Sequence, residues 1–391
     1  MTYDFDRLID RRRSDSSKWQ KYGPDVLPLW VADMDFQSPE PVIRALRERV
    51  EHGVYGYITF EQPEFHQLFA DRLSKRYGWR VSPDAVVIIP GVIPGFNVAG
   101  RILAKPGDGL VLMTPVYPPI LRAASNMDLT REEAPLGRRA DGSYEMDLDA
   151  FNAAIRERTR FFLLCSPHNP VGRVFRRDEL SRLAEVCLRR GLAIVADEIH
   201  CELTYPGQRH LPIASLDPEI AERTITLMAP SKTFNLAGLK CSVAIIPNAE
   251  LRAKFIAARI DLVSTVNVLG FTAAYAAYRD GQAWLDELMR YLEANRDFTM
   301  DYVRRHLPGV RVATPEATYL AWLDCTKAGA AAADPFTFFL ERAKVALNDG
   351  ALFGAGGAGF VRLNFGCPRS ILTEALDRMR AALTADRPAR V

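Results

Sequence analysis

The sequence predicts an α/β fold on a mostly parallel sheet, with a smaller α+β unit beside it. Three observations lead there. Short apolar runs alternate with helical patterns from about residue 40 to residue 250. The runs at 85–89, 109–113, 161–165 and 192–196 are each bounded by Gly, Pro or a charge, as strands buried on both faces are. From about residue 284 the texture changes to one long helical segment followed by two further strand patterns.

Taken in order, residues 41–52 read as a helix opened by Ser38-Pro39 and stopped by Gly53. Runs 224–229 and 242–246 add two more strands. The stretch 177–190 is a helix with Asp178 near its start and Gly191 at its stop. The segment WLDELMRYLEANRDFTMDYVRRHL, from Trp284, is helical up to Pro308-Gly309, and strands at 319–323 and 360–365 follow. The alanine-rich 328–333 reads as a loop or a helix start. The expected division is a large domain over residues 47–283 and a smaller one built from residues 1–46 and 284–391.

Composition narrows the classes of function. With 48% hydrophobic and 25% charged residues among 391, the usage is that of a globular protein with room for several cores. Lys and Arg number 50 against 48 Asp and Glu, a net +2, so no basic excess exists for a nucleic-acid backbone and no such partner is expected. The six cysteines have no CxxC spacing and read as reduced thiols of a cytoplasmic protein. The N-terminal stretch is charged throughout, against a secretory signal, and no run approaches the roughly 20 apolar residues of a membrane span. The six histidines show no metal-ligand spacing, so no metal is expected.

In an open α/β sheet, ligands bind beyond the carboxyl ends of the strands. After 85–89 comes Pro90-Gly91-Val92-Ile93-Pro94-Gly95, a turn into a helix whose first amides suit a phosphate. After 109–113 comes Tyr117 between prolines, either a packed aromatic in a rigid turn or a face held for stacking on a planar ligand. After 161–165 comes Ser166-Pro167-His168-Asn169-Pro170, whose two X-Pro bonds are candidates for cis isomers around the Asn169 amide. Asp197 follows the run 192–196, as a cap, an ion pair or a functional carboxylate. Lys232 follows 224–229, where an unpaired ammonium is costly and tends to be neutralised or reacted. Together these ends offer what pyridoxal phosphate requires: a lysine, a carboxylate for the ring nitrogen, a phosphate cradle, an amide donor and a stacking surface. In the strand Val361-Arg362-Leu363-Asn364-Phe365, Arg362 and Asn364 share one face, so Arg362 either grips a substrate carboxylate or is a surface-strand arginine. The GxGxxG string at Gly354–Gly359 precedes a strand instead of opening a helix, and reads as a flexible loop near the substrate mouth, not a dinucleotide site.

The blocks SPHNPVGRVF, VADEIH and APSKTFNLAGLK resemble the fold-type I pyridoxal-phosphate enzymes of the class I/II aminotransferase superfamily. LPLWVADMDF, DEIH and RLNFGCPRS resemble one branch of it, the cysteine-S-conjugate or cystathionine β-lyases of the MalY/PatB type, and the likeness runs along nearly the whole chain. It implies the fold-type I transferase fold, with a three-layer large domain, and pyridoxal 5′-phosphate as cofactor. By the same likeness Lys232 is the Schiff-base lysine and the acid/base, Asp197 pairs with the ring nitrogen, Asn169 bonds the phenolic oxygen and Tyr117 stacks on the ring. Val92 and Ile93 supply the phosphate cradle, which Ser231 and Lys240 complete. Tyr57 reaches the phosphate of a neighbouring subunit, which implies a homodimer with shared active sites. Arg362 holds the substrate carboxylate, with Trp30 and Ala32 as further substrate contacts. Two positions depart from the superfamily pattern: His200 stands where many aminotransferases have tyrosine and reads as a packed neutral histidine, and Lys240 stands where arginine is frequent.

The expected reaction is α,β-elimination from L-cystathionine or another S-substituted L-cysteine. Lys232 takes the α-proton, a thiolate leaves Cβ, with Tyr117 placed to protonate it, and pyruvate and ammonia follow. An aminotransferase is the alternative within enzymes; a non-catalytic, cofactor-bound regulator is the alternative outside them.

Overall fold

The computed structural model describes residues 3–59, 61–260 and 262–385. Seven strands make the large sheet: β1 (Val86–Ile89), β2 (Gly109–Thr114), β3 (Thr130–Pro135), β4 (Thr159–Cys165), β5 (Ala193–Asp197), β6 (Thr224–Met228) and β7 (Ser242–Ile245). Their order is β1-β7-β6-β5-β4-β2-β3, and every pair is parallel except the two that β7 makes. The helices include α1 (Glu40–His52), α2 (Val92–Leu103), α3 (Pro118–Ala123), α4 (Arg177–Arg189) and α5 (Gln282–His306).

Alternation along the strands sorts side chains into two cores, which makes the unit three-layered. Phe161, Leu163 and Cys165 of β4 join Phe96 and Ala99 of α2 on one face, while Phe162 and Leu164 join Leu180 and Leu183 of α4 on the other. Gly95 lets α2 settle on the sheet, since a Cβ there would lie 2.7 Å from Ile89 and 2.9 Å from Leu227. Helix α1 stops at Gly53, whose φ of +76° is the left-handed cap that glycine adopts without strain.

The second sheet is antiparallel throughout. It contains β8 (Arg311–Val312), β9 (Leu320–Asp324), β10 (Asn348–Asp349) and β11 (Phe360–Asn364), in the order β8-β9-β11-β10. The N-terminal segment joins this end of the chain, with Leu27–Pro28 pairing parallel to Val345–Ala346. Residue 47 lies inside α1 and residue 283 in the first turn of α5, so helices straddle both expected junctions. Among the described residues no helix is long and apolar enough to cross a membrane.

Three findings depart from sequence-based expectation. Strand β3 has no apolar run to reveal it: it is an edge strand, TREEAP, paired only to β2 and partly open to solvent. The glycine-rich 354–359 is a tight turn packed against its surroundings, because a Cβ on Gly354 would meet Leu121 at 3.2 Å and one on Gly357 would meet the Gly350 carbonyl at 2.0 Å. The charged N-terminal stretch includes a buried cluster in which Lys18, 1% exposed, meets Asp35 at 2.7 Å, and Arg11 meets Asp35 at 2.6 Å and Asp33 at 2.8 Å.

Candidate active site

The carboxyl ends of the parallel strands open into a cleft of about 800 Å³, within the range that small cofactors and substrates occupy. Helix α2 starts at its edge, and the amides of Val92 and Ile93, in its first turn, have no carbonyl one turn back to bond. Ser231 and Lys240 line the same cleft. Lys240 arrives there because β7 runs antiparallel, which brings the start of that strand to the carboxyl ends of its neighbours.

Asp197, the last residue of β5, is 4% exposed and has no cation within ion-pair distance among the described residues. Its Oδ1 accepts from the Ile199 amide at 3.2 Å. Burial pushes its carboxyl up to about 7, against the Ile199 bond and the pull of Lys232. Lys232 sits in the short helix Pro230–Thr233 just beyond β6, and its Nζ donates to the Ala32 carbonyl at 2.5 Å. Desolvation first and Arg362 second bring the lysine down to about 8, with Asp33 and Asp197 opposing.

Arg362 is not a surface arginine. Buried in the middle of β11, it donates to Asn169 Oδ1 at 2.9 Å, Asn348 Oδ1 at 2.5 Å and the Trp30 carbonyl at 3.1 Å, and it meets no carboxylate among the described residues. Its Nε has no partner, and burial lowers its pKa to about 10. Asn169 is buried between the Ser166-Pro167 and Asn169-Pro170 bonds, both cis as anticipated, and lines the cleft together with Tyr117. The Tyr117 amide bonds the Asn169 carbonyl at 3.0 Å, and desolvation raises its hydroxyl above the ordinary tyrosine value.

His200 also lines the cleft; it is buried, edge-on to Tyr319, with an unpartnered Nδ1, and burial holds it neutral. His168 is structural, with its ring nitrogens on the Cys165 and Pro115 carbonyls. Trp30 is half-buried, with its indole N–H on the Lys18 carbonyl at 3.1 Å, and Ala32 lines the cleft. Tyr57 stands apart from these groups, 97% exposed in the irregular stretch after α1. Sequence reasoning missed Asn235, Tyr319 and Asn348. Asn235 adopts φ +58° just past Lys232, and its amide bonds Met34 and Phe36. Nothing in the local pattern links it to residues two hundred positions away.

This donor set fits pyridoxal phosphate. Among the described residues, a buried carboxylate without an ion-pair partner, a lysine lowered to about 8 and a helix start with free amides line the cleft, and a buried guanidinium bonded to the cleft residue Asn169 has no carboxylate of its own. Fold and site define an α/β protein with a desolvated lysine and a buried carboxylate at the carboxyl ends of its parallel strands.

The chain belongs to the aminotransferase class I and II family, which it matches over residues 24–379. It is 39% identical to cystathionine beta-lyase PatB of Bacillus subtilis, over 97% of this chain and 100% of that protein. Among solved structures, OvoB superposes with a TM-score of 0.93 at 43% identity, covering 98% of this chain and 100% of that one. Cystalysin from Treponema denticola, which contains pyridoxal 5′-phosphate, superposes at 0.95 with 33% identity, over 99% and 100% of the two chains. The family anticipated from SPHNPVGRVF, VADEIH and APSKTFNLAGLK, and the branch anticipated from LPLWVADMDF, DEIH and RLNFGCPRS, are those found.

Proposed function

We propose that this chain is a pyridoxal-phosphate-dependent carbon–sulfur β-lyase, converting L-cystathionine or another S-substituted L-cysteine, with one water, to a thiol, pyruvate and ammonia. The observation that carries the reading is the buried Asp197 lining one cleft with Lys232, together with the buried Arg362 that bonds the cleft residue Asn169 and meets no carboxylate among the described residues. The names of PatB and cystalysin's cofactor support it.

Pyridoxal phosphate, when bound, supplies an electron sink for negative charge at the substrate α-carbon. The amides of Val92 and Ile93, with Ser231 and Lys240, would hold its phosphate; Asp197 would keep its ring nitrogen protonated, Asn169 and His200 would border its phenolic oxygen, and Tyr117 would stack on its ring. Arg362 grips the substrate carboxylate, using the Nε that has no other partner. Trp30 and Ala32 border the substrate from the N-terminal segment. Lys232, lowered by burial to about 8 and so able to shed its proton more readily than an ordinary lysine, takes the proton from the α-carbon in its neutral form. Tyr117, which keeps its proton because desolvation raises it, delivers one to the departing sulfur. In this reading residues 47–283 supply the cofactor's groups, and the N-terminal segment with residues 284–391 supplies Arg362. The setting is cytoplasmic, in keeping with six free, buried cysteines.

Supplied with cystathionine and no keto acid, the enzyme is expected to release thiol, pyruvate and ammonia in equal amounts. Dependence on an added α-keto acid, with a new amino acid and no free thiol, would make it an aminotransferase instead. Tyr117→Phe should slow elimination about tenfold or more for poor thiol leaving groups and less for good ones. An equal slowing for all substrates would leave Tyr117 only a stacking role.

The working form is a homodimer. Tyr57 at 97%, Val54 at 63% and Tyr55 at 53% exposure form a largely open arm, held to its own chain by the Tyr55 hydroxyl donating to the Val50 carbonyl at 2.9 Å. Leu262 and Ile93, at 58% and 39%, are exposed at the cleft's edge. Light scattering should give twice the 43.8 kDa of one chain. Tyr57→Phe should weaken pyridoxal-phosphate binding about tenfold, the scale of one charge-assisted hydrogen bond, while the dimer persists. Unchanged cofactor affinity would remove Tyr57 from the partner's site.

A further inference from the structure

From Arg362 to Gly366 the C-terminal strand grips the segment 30–35 along its backbone. Asn364, wholly buried, donates through Nδ2 to the Val31 carbonyl at 2.6 Å and the Asp33 carbonyl at 2.7 Å, while its Oδ1 accepts from the Gly366 amide at 2.7 Å. Arg362 adds its bond to the Trp30 carbonyl, and the Asp35 amide donates to the Gly366 carbonyl at 2.9 Å. The carbonyl between Asn364's two anchors, that of Ala32, is taken by other donors: Lys232 Nζ at 2.5 Å and the Tyr319 hydroxyl at 2.9 Å. A backbone carbonyl has no rotamers of its own, so its direction is set by whatever holds the peptides on either side.

Resting on the reading of Lys232 as the reactive amine, we infer that Asn364 is a positioning residue for the reaction: its bonds to the carbonyls on either side of Ala32 aim the Ala32 carbonyl at the Lys232 nitrogen and fix where that amine rests when free. Asn364 touches neither substrate nor cofactor in this account; it acts through the peptide. The amine must return to one place after each proton transfer, and a fixed acceptor supplies that place.

Several groups surround Lys232. Arg362 from β11 and Lys240 from the start of β7 oppose its charge, Asp33 and Asp197 favour it, and His200, Tyr117 and Tyr319 complete the surroundings. An aimed carbonyl favours the ammonium over the neutral amine, so loosening it should ease loss of the proton. Tyr319 competes for the same oxygen, so removing its hydroxyl should have the opposite sign.

Competitive acetylation of the cofactor-free full chain with acetic anhydride, resolved at Lys232 by peptide mass spectrometry across pH, reads the amine's midpoint without turnover. Asn364→Ala is expected to lower that midpoint by about half a pH unit or more, a roughly threefold weaker hold on the proton. Tyr319→Phe, which leaves the anchors intact, is expected to raise it. A merely structural asparagine would lower melting temperature and leave the midpoint where it was. The inference fails if folded Asn364→Ala keeps the parent midpoint or raises it. If that variant does not fold, it fails on Tyr319→Phe keeping or lowering the midpoint. Failure of the cofactor reading is a separate result: a parent chain that gains no visible absorbance with pyridoxal phosphate, whatever Asn364 does.

Discussion

Replacing Lys232 with alanine is expected to cut pyruvate release from cystathionine by about three to four orders of magnitude, the range that loss of a positioned general base covers before loss of the covalent link is added. The fold should survive. Among the described residues the side chain's one hydrogen bond is to the Ala32 carbonyl, which keeps the Tyr319 hydroxyl as donor when the lysine is gone. Burial already disfavours the ammonium, so its removal takes away a desolvated charge and little packing. Circular dichroism and melting temperature should therefore match the parent, while the visible absorbance of the loaded enzyme disappears. Normal turnover in a folded Lys232→Ala protein would overturn the site.

Asp197→Ala should cost about two to three orders of magnitude, because a ring nitrogen that loses its proton is a poor electron sink. Asp197→Glu should keep part of the activity by retaining a carboxylate at the strand end. Asp178→Ala serves as the contrast: this aspartate lies in the first turn of α4 with its side chain 59% exposed beside Arg176 and Arg182. Its loss should leave both the melting temperature and the rate close to the parent's, as for an exposed ion pair. Equal losses at the two aspartates would mean that the strand end has been misassigned.

Asp197 also predicts a pH dependence of the cofactor-free chain. Its folded pKa, about 7, is raised above the ordinary 3.8, so the protonated carboxyl favours the folded state. That contribution is fully present below about 4 and is lost as pH rises through about 7, a change of a few kcal/mol at roughly 1.4 kcal/mol per unit. Lys232 has the opposite sign: lowered to about 8 from 10.5, it adds stability only as pH rises through that upper window. His168 and His200, both lowered by burial, add stability as pH rises through the same window, so the Asp197 contribution is read as a difference: Asp197→Asn should gain stability relative to the parent as pH rises from 4 to 7 in denaturant titrations of the cofactor-free chain. Parent and variant curves that stay parallel would show that the carboxyl does not titrate there.

Much of the site was legible because its pieces are local. A buried parallel strand is a run of apolar residues, and the residues just past the run are those the strand end presents. Val92, Tyr117, Asn169, Asp197 and Lys232 could therefore be read one at a time from the sequence, before any contact was known. Strand β3 was not legible, because an edge strand needs no apolar run. Arg362 was legible only as an alternation, equally consistent with a surface strand. Its burial, with no carboxylate beside it, separates the two readings. Lys18 belongs to a stretch whose only local signal was charge, yet it is enclosed with Asp35.

By itself, then, the sequence determined the alternation of strands and helices, the order of the strand ends and the chemical groups standing on them. These come from periodicity and from the turn residues that interrupt it, both of which act over a few positions. The tertiary structure alone decided how the N-terminal segment lies at the lysine, why Arg362 is enclosed and which carbonyl Lys232 meets. Those outcomes rest in large part on hydrogen bonds between distant partners, such as Lys232 to Ala32, 200 residues apart, and Asn364 to Val31, 333 apart. A buried amide or guanidinium must find an acceptor somewhere, but the local pattern does not say where. Only the packing of the whole chain brings that acceptor within reach.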